Sequence, residues 1–381
     1  MALRPNDDND KNEISLTASY YHLFRIQHPQ QNTTVVATDR TDNTTAAAAA
    51  APSGGFWEED EWTAQDEEQA ERLLQASREK CSLRHHATTN KEDEQAWNKF
   101  YSQHQTRFFN DRHYLHKAFP EEFCLPETET NNDGGSTNHR TLVEIGCGVG
   151  NLLLPLLEDN NNIDNTDDKE VSNKKSENID KNSALASANN NTPIHEFQWT
   201  VFGLDLAREA IKWLQRDGRF QRAAAQGRAT ALVHDISLPQ LPDCLLGTAH
   251  VTTLLFCLSA IAPGPRMVQA VRNAAATLKE PTDDSGNGGG VLVFRDYGRY
   301  DEAQLKLGTS RNKLLEDNFY KKHDGTKCYY FSLEDVRELF EQEAGLTILE
   351  LKYLKRIYRN RGTNEVRRRV WVQGRFQKTK S

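Results

Sequence analysis

The sequence predicts an α/β fold on a largely parallel sheet, and three stretches carry that prediction. Residues 141–151, TLVEIGCGVGN, run an apolar strand pattern into Gly146, Gly148 and Gly150, and the apolar LLLPLL that follows reads as the start of a helix. WTVFGLDLA (199–207) and ATALVHDIS (229–237) are further buried-strand patterns, ending in the acids Asp205 and Asp235. Helical patterns alternate with these and with later strands, which implies parallel pairing through right-handed crossovers.

Taken in order, residues 1–55 are rich in Asn, Asp and Thr with an alanine run, and are expected to be disordered. In FWEEDEWTAQDEEQAERLLQASREK (56–80), Trp57 and Trp62 precede a helical pattern that sets Ala70, Leu73, Leu74 and Ser77 on one face. The most aromatic stretch, EQAWNKFYSQHQTRFFNDRHYLHKAFPE (94–121), places Trp97, Phe100 and Tyr101 at helical spacing; Phe108 and Phe109 follow, interleaved with Arg107, Arg112, His113 and Lys117. Rings at this spacing pack a core, while the cations beside them suit a base or a cofactor carboxylate, so this helix is read as a lid over a cofactor mouth. The Asn-, Asp-, Lys- and Ser-rich stretch within 158–193 is expected to be a looped-out insertion, and 280–290 a shorter one. AREAIKWLQRD (207–217) is helical, HVTTLLFCLSAI (250–261) is the fourth strand and its exit, MVQAVRNAAATLK (267–279) is a helix, and GVLVFRDYG (290–298) is the fifth strand. SLEDVRELFEQEAG (332–345) has a Ser N-cap, a nearby acid and a closing Gly, and LTILELKYLKRIYRN and RRRVWVQGRF read as a terminal hairpin that adds an antiparallel edge.

Composition narrows the function. A 37% hydrophobic fraction says that much of the chain is not core, and a net charge of −8 argues against a uniformly basic nucleic-acid binder. The six cysteines have no C-x-x-C pair and no metal-ligand spacing, so they read as reduced thiols and no metal is expected. No apolar run approaches the ~20 residues of a membrane span, and the acidic, polar start MALRPNDDNDKNE gives neither a secretory nor a transit signal. A cytoplasmic protein is expected, with the nucleus also open.

The strand ends carry the chemistry. Glycine lets the turn after the first strand adopt positive φ and lets a ligand approach with no Cβ in the way, while the helix behind it offers free N–H groups. The spacing is G-x-G-x-G, not the G-x-G-x-x-G of dinucleotide folds, and Glu144 sits two residues before the first glycine. Asp205 stands where a carboxylate accepts hydrogen bonds from both ribose hydroxyls, and Asp235 where one meets an adenine amino group. Turn, acid and acid at three successive strand ends are the signature of a class I S-adenosylmethionine-dependent methyltransferase. The expected architecture is then a seven-stranded, mostly parallel sheet with helices on both faces, plus an N-terminal helical lid.

Two features point to a nucleic-acid substrate. The last thirty or so residues hold Lys352, Lys355, Arg356, Arg359, Arg361, Arg367, Arg368, Arg369, Arg375, Lys378 and Lys380 against Glu365 alone. Such a segregated patch in an acidic chain suggests phosphate contact; the alternative is a solvated strand surface. At the strand ends, FCLSAIAP lacks the Asp/Asn-Pro-Pro-aromatic loop of many exocyclic-amine methyltransferases. RDYG sets Arg295, Asp296 and Tyr297 at the end of the fifth strand, and FYKKHDGTKCYYFS (319–332), with Lys321, adds an aromatic and basic hairpin.

WNKFYSQHQTRFFNDRHYL, EIGCGVGN, LLFCLSAIAP, VFRDYG with YDEAQLK, NFYKKHDGTKCYYFS and RRVWVQGRF, in that order, resemble the methyltransferase-like enzymes that make 3-methylcytidine in the anticodon loop of transfer RNAs. The resemblance covers roughly residues 94–377 apart from the insertions. FWEEDEWTAQDEEQA resembles the extension of the branch that acts on threonine and arginine tRNAs. It implies S-adenosylmethionine as cofactor, contacts to it from Trp97, Tyr101, Gly146, Asp205, Asp235 and Leu255, and Arg112 for the methionine carboxylate; Glu144 and Gly148 complete the cofactor set. It implies methylation at position thirty-two, and the cations Arg107, His113, Lys321, Arg367, Arg368 and Arg369 are the candidate RNA contacts. An aminoacyl-tRNA synthetase or another adaptor protein is a possible partner. This chain departs from the family pattern at Leu206-Ala207 where a Phe-Ser is usual, in its split Lys-Pro-Gly-Gly turn, and at His323.

Ring N3 of cytosine has an in-plane lone pair, so transfer needs no strong base; the base must be flipped out and aligned, and positive charge tolerated. Asp296 is expected to stabilise that charge beside Tyr297, with Arg295 on phosphate; the alternative is a structural Arg295–Asp296 ion pair. Three other readings stay open: a methyltransferase for a protein or small molecule, a serine-tRNA member, and a non-catalytic relative. The expected domains are a disordered 1–55, a helical extension, lid and tRNA-binding region at 56–125, a methyltransferase domain at 126–377, and a tail at 378–381.

Overall fold

The computed structural model describes residues 64–80, 90–124, 139–158, 198–282, 288–359 and 366–380. The segment 1–55, Trp57 and Trp62, all of 158–193 except Glu158, and 283–287 of the shorter insertion lie outside the described residues. The N-terminal elements are α1 (Ala64–Lys80), α2 (Asn90–His104), α3 (Leu115–Ala118) and α4 (Pro120–Phe123). Next come β1 (His139–Ile145), α5 (Leu153–Glu158), β2 (Gln198–Asp205), α6 (Arg208–Arg216), α7 (Gly218–Ala225), β3 (Ala229–Val233), β4 (Val251–Leu255), α8 (Pro265–Ala276) and β5 (Val291–Tyr297). The chain then forms α9 (Glu302–Gly308), β6 (Leu314–Glu316), β7 (Phe319–Lys321), β8 (Lys327–Tyr329), α10 (Leu333–Arg337), a π-helix (Glu338–Glu343), β9 (Leu346–Arg359) and β10 (Val366–Lys378).

These elements fall into two compact units. The larger holds Thr88–Arg295, Arg337–Glu350 and Gly374–Ser381; the smaller holds Asp296–Val336, Leu351–Gln373 and the described residues before Ala87.

A seven-stranded sheet in the order β3-β2-β1-β4-β5-β10-β9 organises the larger unit. β2 runs parallel to β1 and β3, and β4 parallel to β1 and β5. β10 opposes β5, with the Lys378 N–H donating to the Gly290 carbonyl at 3.0 Å. Alternation along the strands puts Leu142, Val201, Val251 and Val293 on one face, in one buried cluster with Leu153, Ile211, Leu214 and Phe220 of α5 to α7. The opposite face presents Thr252, whose Oγ1 lies 2.6 Å from that of Thr277 just past α8, and Phe294, whose ring is 5.0 Å from Phe340. Helices therefore cover both faces, as expected. Strand order reverses between β1 and β4, which opens a crevice at their carboxyl ends.

The helix expected over 332–345 begins as its cap predicts. Ser332 Oγ accepts the Asp335 N–H at 3.0 Å, and the Asp335 carboxylate accepts the Ser332 N–H at 2.8 Å. After five residues the α-turns widen into the π-helix, which lets adjacent Leu339 and Phe340 both point inward, Phe340 stacking 4.3 Å from Phe376.

In the smaller unit α1 buries Ala70, Leu73 and Leu74 against Leu305 of α9, the face its spacing predicts. The expected hairpin at 319–332 is present as β7 and β8, and β6 pairs with it to make a three-stranded sheet. Among the described residues no helix is long and apolar enough to cross a membrane.

Candidate cofactor and base site

The crevice of the larger unit is built from four strand ends. After β1 the turn takes φ of +73°, +54° and +88° at Gly146, Gly148 and Gly150, where a side chain would be strained. The turn is also closely packed: a Cβ on Gly148 would stand 2.5 Å from the Tyr101 hydroxyl, and one on Gly146 would collide with Cys257 Sγ. Asp205, ending β2, fastens it. Its Oδ2 accepts the Gly148 N–H at 2.8 Å and its Oδ1 the Ala207 N–H at 2.7 Å, which leaves one lone pair on each oxygen for a ligand.

The cleft between these strand ends has Trp97, Ile236, Phe256 and Ile261 as apolar walls. Asp235 lines it beyond β3. Its Oδ1 accepts from the N–H and the hydroxyl of Ser237, and its Oδ2 from the Asn90 amide at 2.6 Å, so it faces the cleft already ordered.

Burial sets the electrostatics. It pushes the Asp205 carboxyl up to about 6, against the lowering pull of the two backbone N–H groups. It pushes Glu144 up to about 8, although Arg112 Nη1 stands 4.0 Å away. Arg112 also donates to the Leu255 carbonyl at 3.4 Å and lies 5.7 Å from the Phe256 ring, so it stands at the ends of β1 and β4. Glu144 Oε2 and the Nε2 of His234, a wall residue whose pKa burial lowers, are buried without a hydrogen-bond partner among the described residues. Carboxylates at two strand ends, a cation at the switch point and orphaned polar atoms between apolar walls fit S-adenosylmethionine, a nucleoside with an amino-acid tail.

The lid is α2. Trp97 lies 6.0 Å from Tyr101 and packs edge-on to Phe100 at 5.3 Å, and the latter two rings are buried. Polar contacts tie the helix down: Arg266 donates to Asp93 at 2.9 Å, Asn98 Oδ1 accepts the Glu209 N–H at 3.0 Å, and Asn90 reaches Asp235. Arg107 and His113 are exposed in the following loop. That loop is tied to the glycine turn, because Asn151 donates to the Phe109 carbonyl at 3.1 Å and accepts the Arg112 N–H at 2.7 Å.

Arg295, on β5 and in the larger unit, is 2% exposed, its guanidinium 5.1 Å from the Tyr114 ring and 5.5 Å from that of Phe119. Buried among rings it has no surface for a phosphate, and that expected role is corrected.

In the smaller unit Asp296 is fully buried and its Oδ1 accepts the Tyr297 N–H at 2.9 Å. Burial holds the Tyr297 hydroxyl well above the usual phenol range. Arg369 lies 5.4 Å from the Tyr297 ring and donates through Nε to Asp301 at 2.7 Å, while Arg368 is buried with Nη1 3.8 Å from Asp66. The expectation that Arg368 meets RNA phosphate is corrected accordingly, since it is buried against Asp66; Arg369, paired with buried Asp301, keeps part of its side chain exposed. Arg367 and Lys321 are exposed.

Asn90, Asp93, Arg266 and His234 are site residues that sequence reasoning missed. Only His234 had a signal, its place beside Asp235; the others are ordinary polar residues brought in by packing.

Over residues 111–351 the chain matches the family described as a methyltransferase domain. It is 34% identical over 284 residues to the tRNA N(3)-methylcytidine methyltransferase Mettl2 of Drosophila melanogaster, covering 74% of this chain and 70% of that protein. To the tRNA N(3)-methylcytidine methyltransferase trm141 of Schizosaccharomyces pombe it is 30% identical, over 76% of this chain and 93% of that one. To the tRNA(Thr) (cytosine(32)-N(3))-methyltransferase of Saccharomyces cerevisiae it is 30% identical, over 74% of this chain and 36% of that protein.

Proposed function

This chain belongs to the tRNA N(3)-methylcytidine methyltransferases, and we propose that it methylates N3 of cytidine thirty-two in the anticodon loop of a subset of tRNAs, threonine and arginine tRNAs first. The observation that carries this reading is the cleft at the ends of β1 to β4, where Asp205 clamps the glycine turn while keeping acceptor capacity on both oxygens. S-adenosylmethionine supplies an electrophilic methyl group when bound. The residues present would hold it as follows: Asp205 the ribose hydroxyls, Asp235 the adenine amino group, Arg112 the methionine carboxylate, with Trp97 and Tyr101 closing over it.

N3 attacks with its own lone pair, so no residue has to remove a proton first. What the chain supplies is alignment and charge stabilisation. Asp296, whose Oδ1 accepts the Tyr297 N–H at 2.9 Å, is the residue we assign to that charge, with Tyr297 as its neighbour; its side chain is fully buried, so the role requires that the base gain access to it. Arg295 acts through the rings of Tyr114 and Phe119 as a positioning residue. An aminoacyl-tRNA synthetase or another adaptor protein would contribute to tRNA selection.

The test is methyl transfer from labelled S-adenosylmethionine to total tRNA by the purified protein, with nucleoside digestion and mass spectrometry. A 3-methylcytidine product supports the reading. Cofactor binding with no tRNA product, alone and in cell extract, refutes it. Asp296→Asn should bind cofactor normally and lose most turnover; near-normal turnover would remove Asp296 from the chemistry.

A further inference from the structure

Phe108 and Phe109, in the loop between α2 and α3, stand out among the large apolar side chains at the surface. Phe108 is 55% exposed and Phe109 36%. They are nonetheless ordered by a continuous ring stack: Phe108 lies 4.9 Å from Phe100, 5.0 Å from His104 and 4.7 Å from Phe109, in tilted or edge-to-face contacts. The inner member, Phe100, is buried in the lid, so the outer rings are held as a ledge.

Two observations say what the ledge is for. Arg107, His113 and Lys117 are exposed in the same segment, and its one acid, Asp111, is engaged by Arg219 at 3.2 Å and by Asn151, so the exposed full charges of the segment, Arg107 and Lys117, are positive. The loop is also pinned to the cofactor cleft, through Asn151 on the glycine turn and through Arg112, which reaches Glu144 and the Leu255 carbonyl. Exposed ring faces beside cations match an unpaired nucleotide, which has a π-face and a phosphate; in a duplex the base faces are already stacked on one another.

We propose that Phe108 and Phe109 form a stacking platform for unpaired RNA bases next to the target cytidine, and that this platform makes the enzyme select a loop over a helix. The inference rests on the tRNA reading above and adds its structural basis for single-strand selection. Arg107 supplies the accompanying phosphate contact.

The experiment uses the full chain and compares wild type with Phe108→Leu/Phe109→Leu and with Phe108→Trp. Each is titrated with a hairpin RNA carrying the anticodon loop, with a fully paired duplex of the same length, and with S-adenosylmethionine. Leucine keeps bulk and apolarity but removes the π-face. The leucine pair should bind the hairpin about tenfold to a hundredfold more weakly, bind duplex and cofactor as wild type does, and lose activity on tRNA through KM more than kcat. Phe108→Trp, which keeps a π-face but changes the shape, should bind the hairpin at least as tightly as wild type, which a packing role alone does not predict. Unchanged hairpin affinity in the leucine pair, with wild type making 3-methylcytidine, overturns the platform and leaves the function standing. Loss of cofactor binding in the leucine pair also overturns it, because the rings would then be packing for α2. A wild type that makes no 3-methylcytidine fails the tRNA reading itself.

Discussion

The acids of the cofactor cleft and the cations of the C-terminal strands are both conspicuous charges set on a sheet, yet they end in different states. Asp205 takes two backbone N–H groups and keeps acceptor capacity facing a cavity. Arg369 gives its Nε to buried Asp301, Arg368 stands against Asp66, and Arg375 bonds Glu121 and Glu122. The first arrangement holds a charged group ready for a ligand; the second neutralises it within the fold. Charge in a sequence signals function only where the structure leaves part of it unsatisfied.

The largest effect separating the two regions should come from Arg369. Replacing it with Met leaves Asp301 buried with, among the described residues, the N–H groups of Ala303 and Val370. Breaking such a pair costs about 3 kcal/mol or more, so denaturant melts should show a large loss of stability. The salt dependence of RNA binding by the folded fraction should stay put, where loss of a phosphate contact would lower its slope by about one. A stable variant with a reduced slope would return Arg369 to the RNA surface.

Asp205→Ala comes next. It removes the acceptor of two N–H groups and of the expected ribose hydroxyls, so cofactor affinity should drop by about a hundredfold, following charge-assisted bonds at roughly 1.5–3 kcal/mol. Calorimetric titration checks this. The same group sets a pH dependence. Its pKa in the free protein is raised to about 6, and ribose hydroxyls need the ionised form, so protonation opposes binding. Affinity should be flat above pH 7 and fall toward tenfold per unit well below pH 6. A flat profile from pH 5 to 8 would mean that Asp205 does not titrate against the cofactor.

The cleft was legible before the structure because its information is local. Gly146, Gly148, Asp205 and Asp235 are each defined by position relative to a strand end, and apolar runs locate strand ends. The fates of Arg368, Arg369 and Arg375 were not legible, since their partners Asp66, Asp301, Glu121 and Glu122 lie far away in sequence and packing alone unites them. Asp93 and Arg266 were hidden for the same reason, lying 173 positions apart. The α-to-π change at Glu338 follows from core geometry around Phe340, on which the helical pattern is silent.

Asp93→Asn should have an intermediate effect. Asp93 is buried on the lid and loses a charge-assisted bond to Arg266, a change of about 1–2 kcal/mol. Since the pair ties α2 to the start of α8 rather than touching the reacting atoms, cofactor dissociation should quicken several-fold in stopped-flow while single-turnover chemistry at saturating cofactor is preserved. A change in the chemical step instead would place Asp93 in the reaction.

The smallest effect sharpens the comparison within one helix. On α1, Glu71 accepts from Arg299 at 2.6 Å, from the Tyr300 hydroxyl at 3.0 Å and from Arg78 at 3.1 Å; these partners hold its carboxyl below the usual range against the opposing effect of burial. Glu68, one turn earlier, meets only Arg72 among the contacts described, in a pair whose side chains are 64% and 72% exposed. Water screens that pair and side-chain entropy offsets it, so Glu68→Gln should change stability by less than about 0.5 kcal/mol. Glu71→Gln removes the shared acceptor of three donors and should cost more than Glu68→Gln in the same melt. Because the Glu71 pKa is lowered in the fold, its contribution is present above the unfolded pKa near 4.5 and is lost as pH falls through the lower folded value. The gap between the two variants should therefore close on acidification below about pH 4; a gap that persists there would trace to packing rather than to charge.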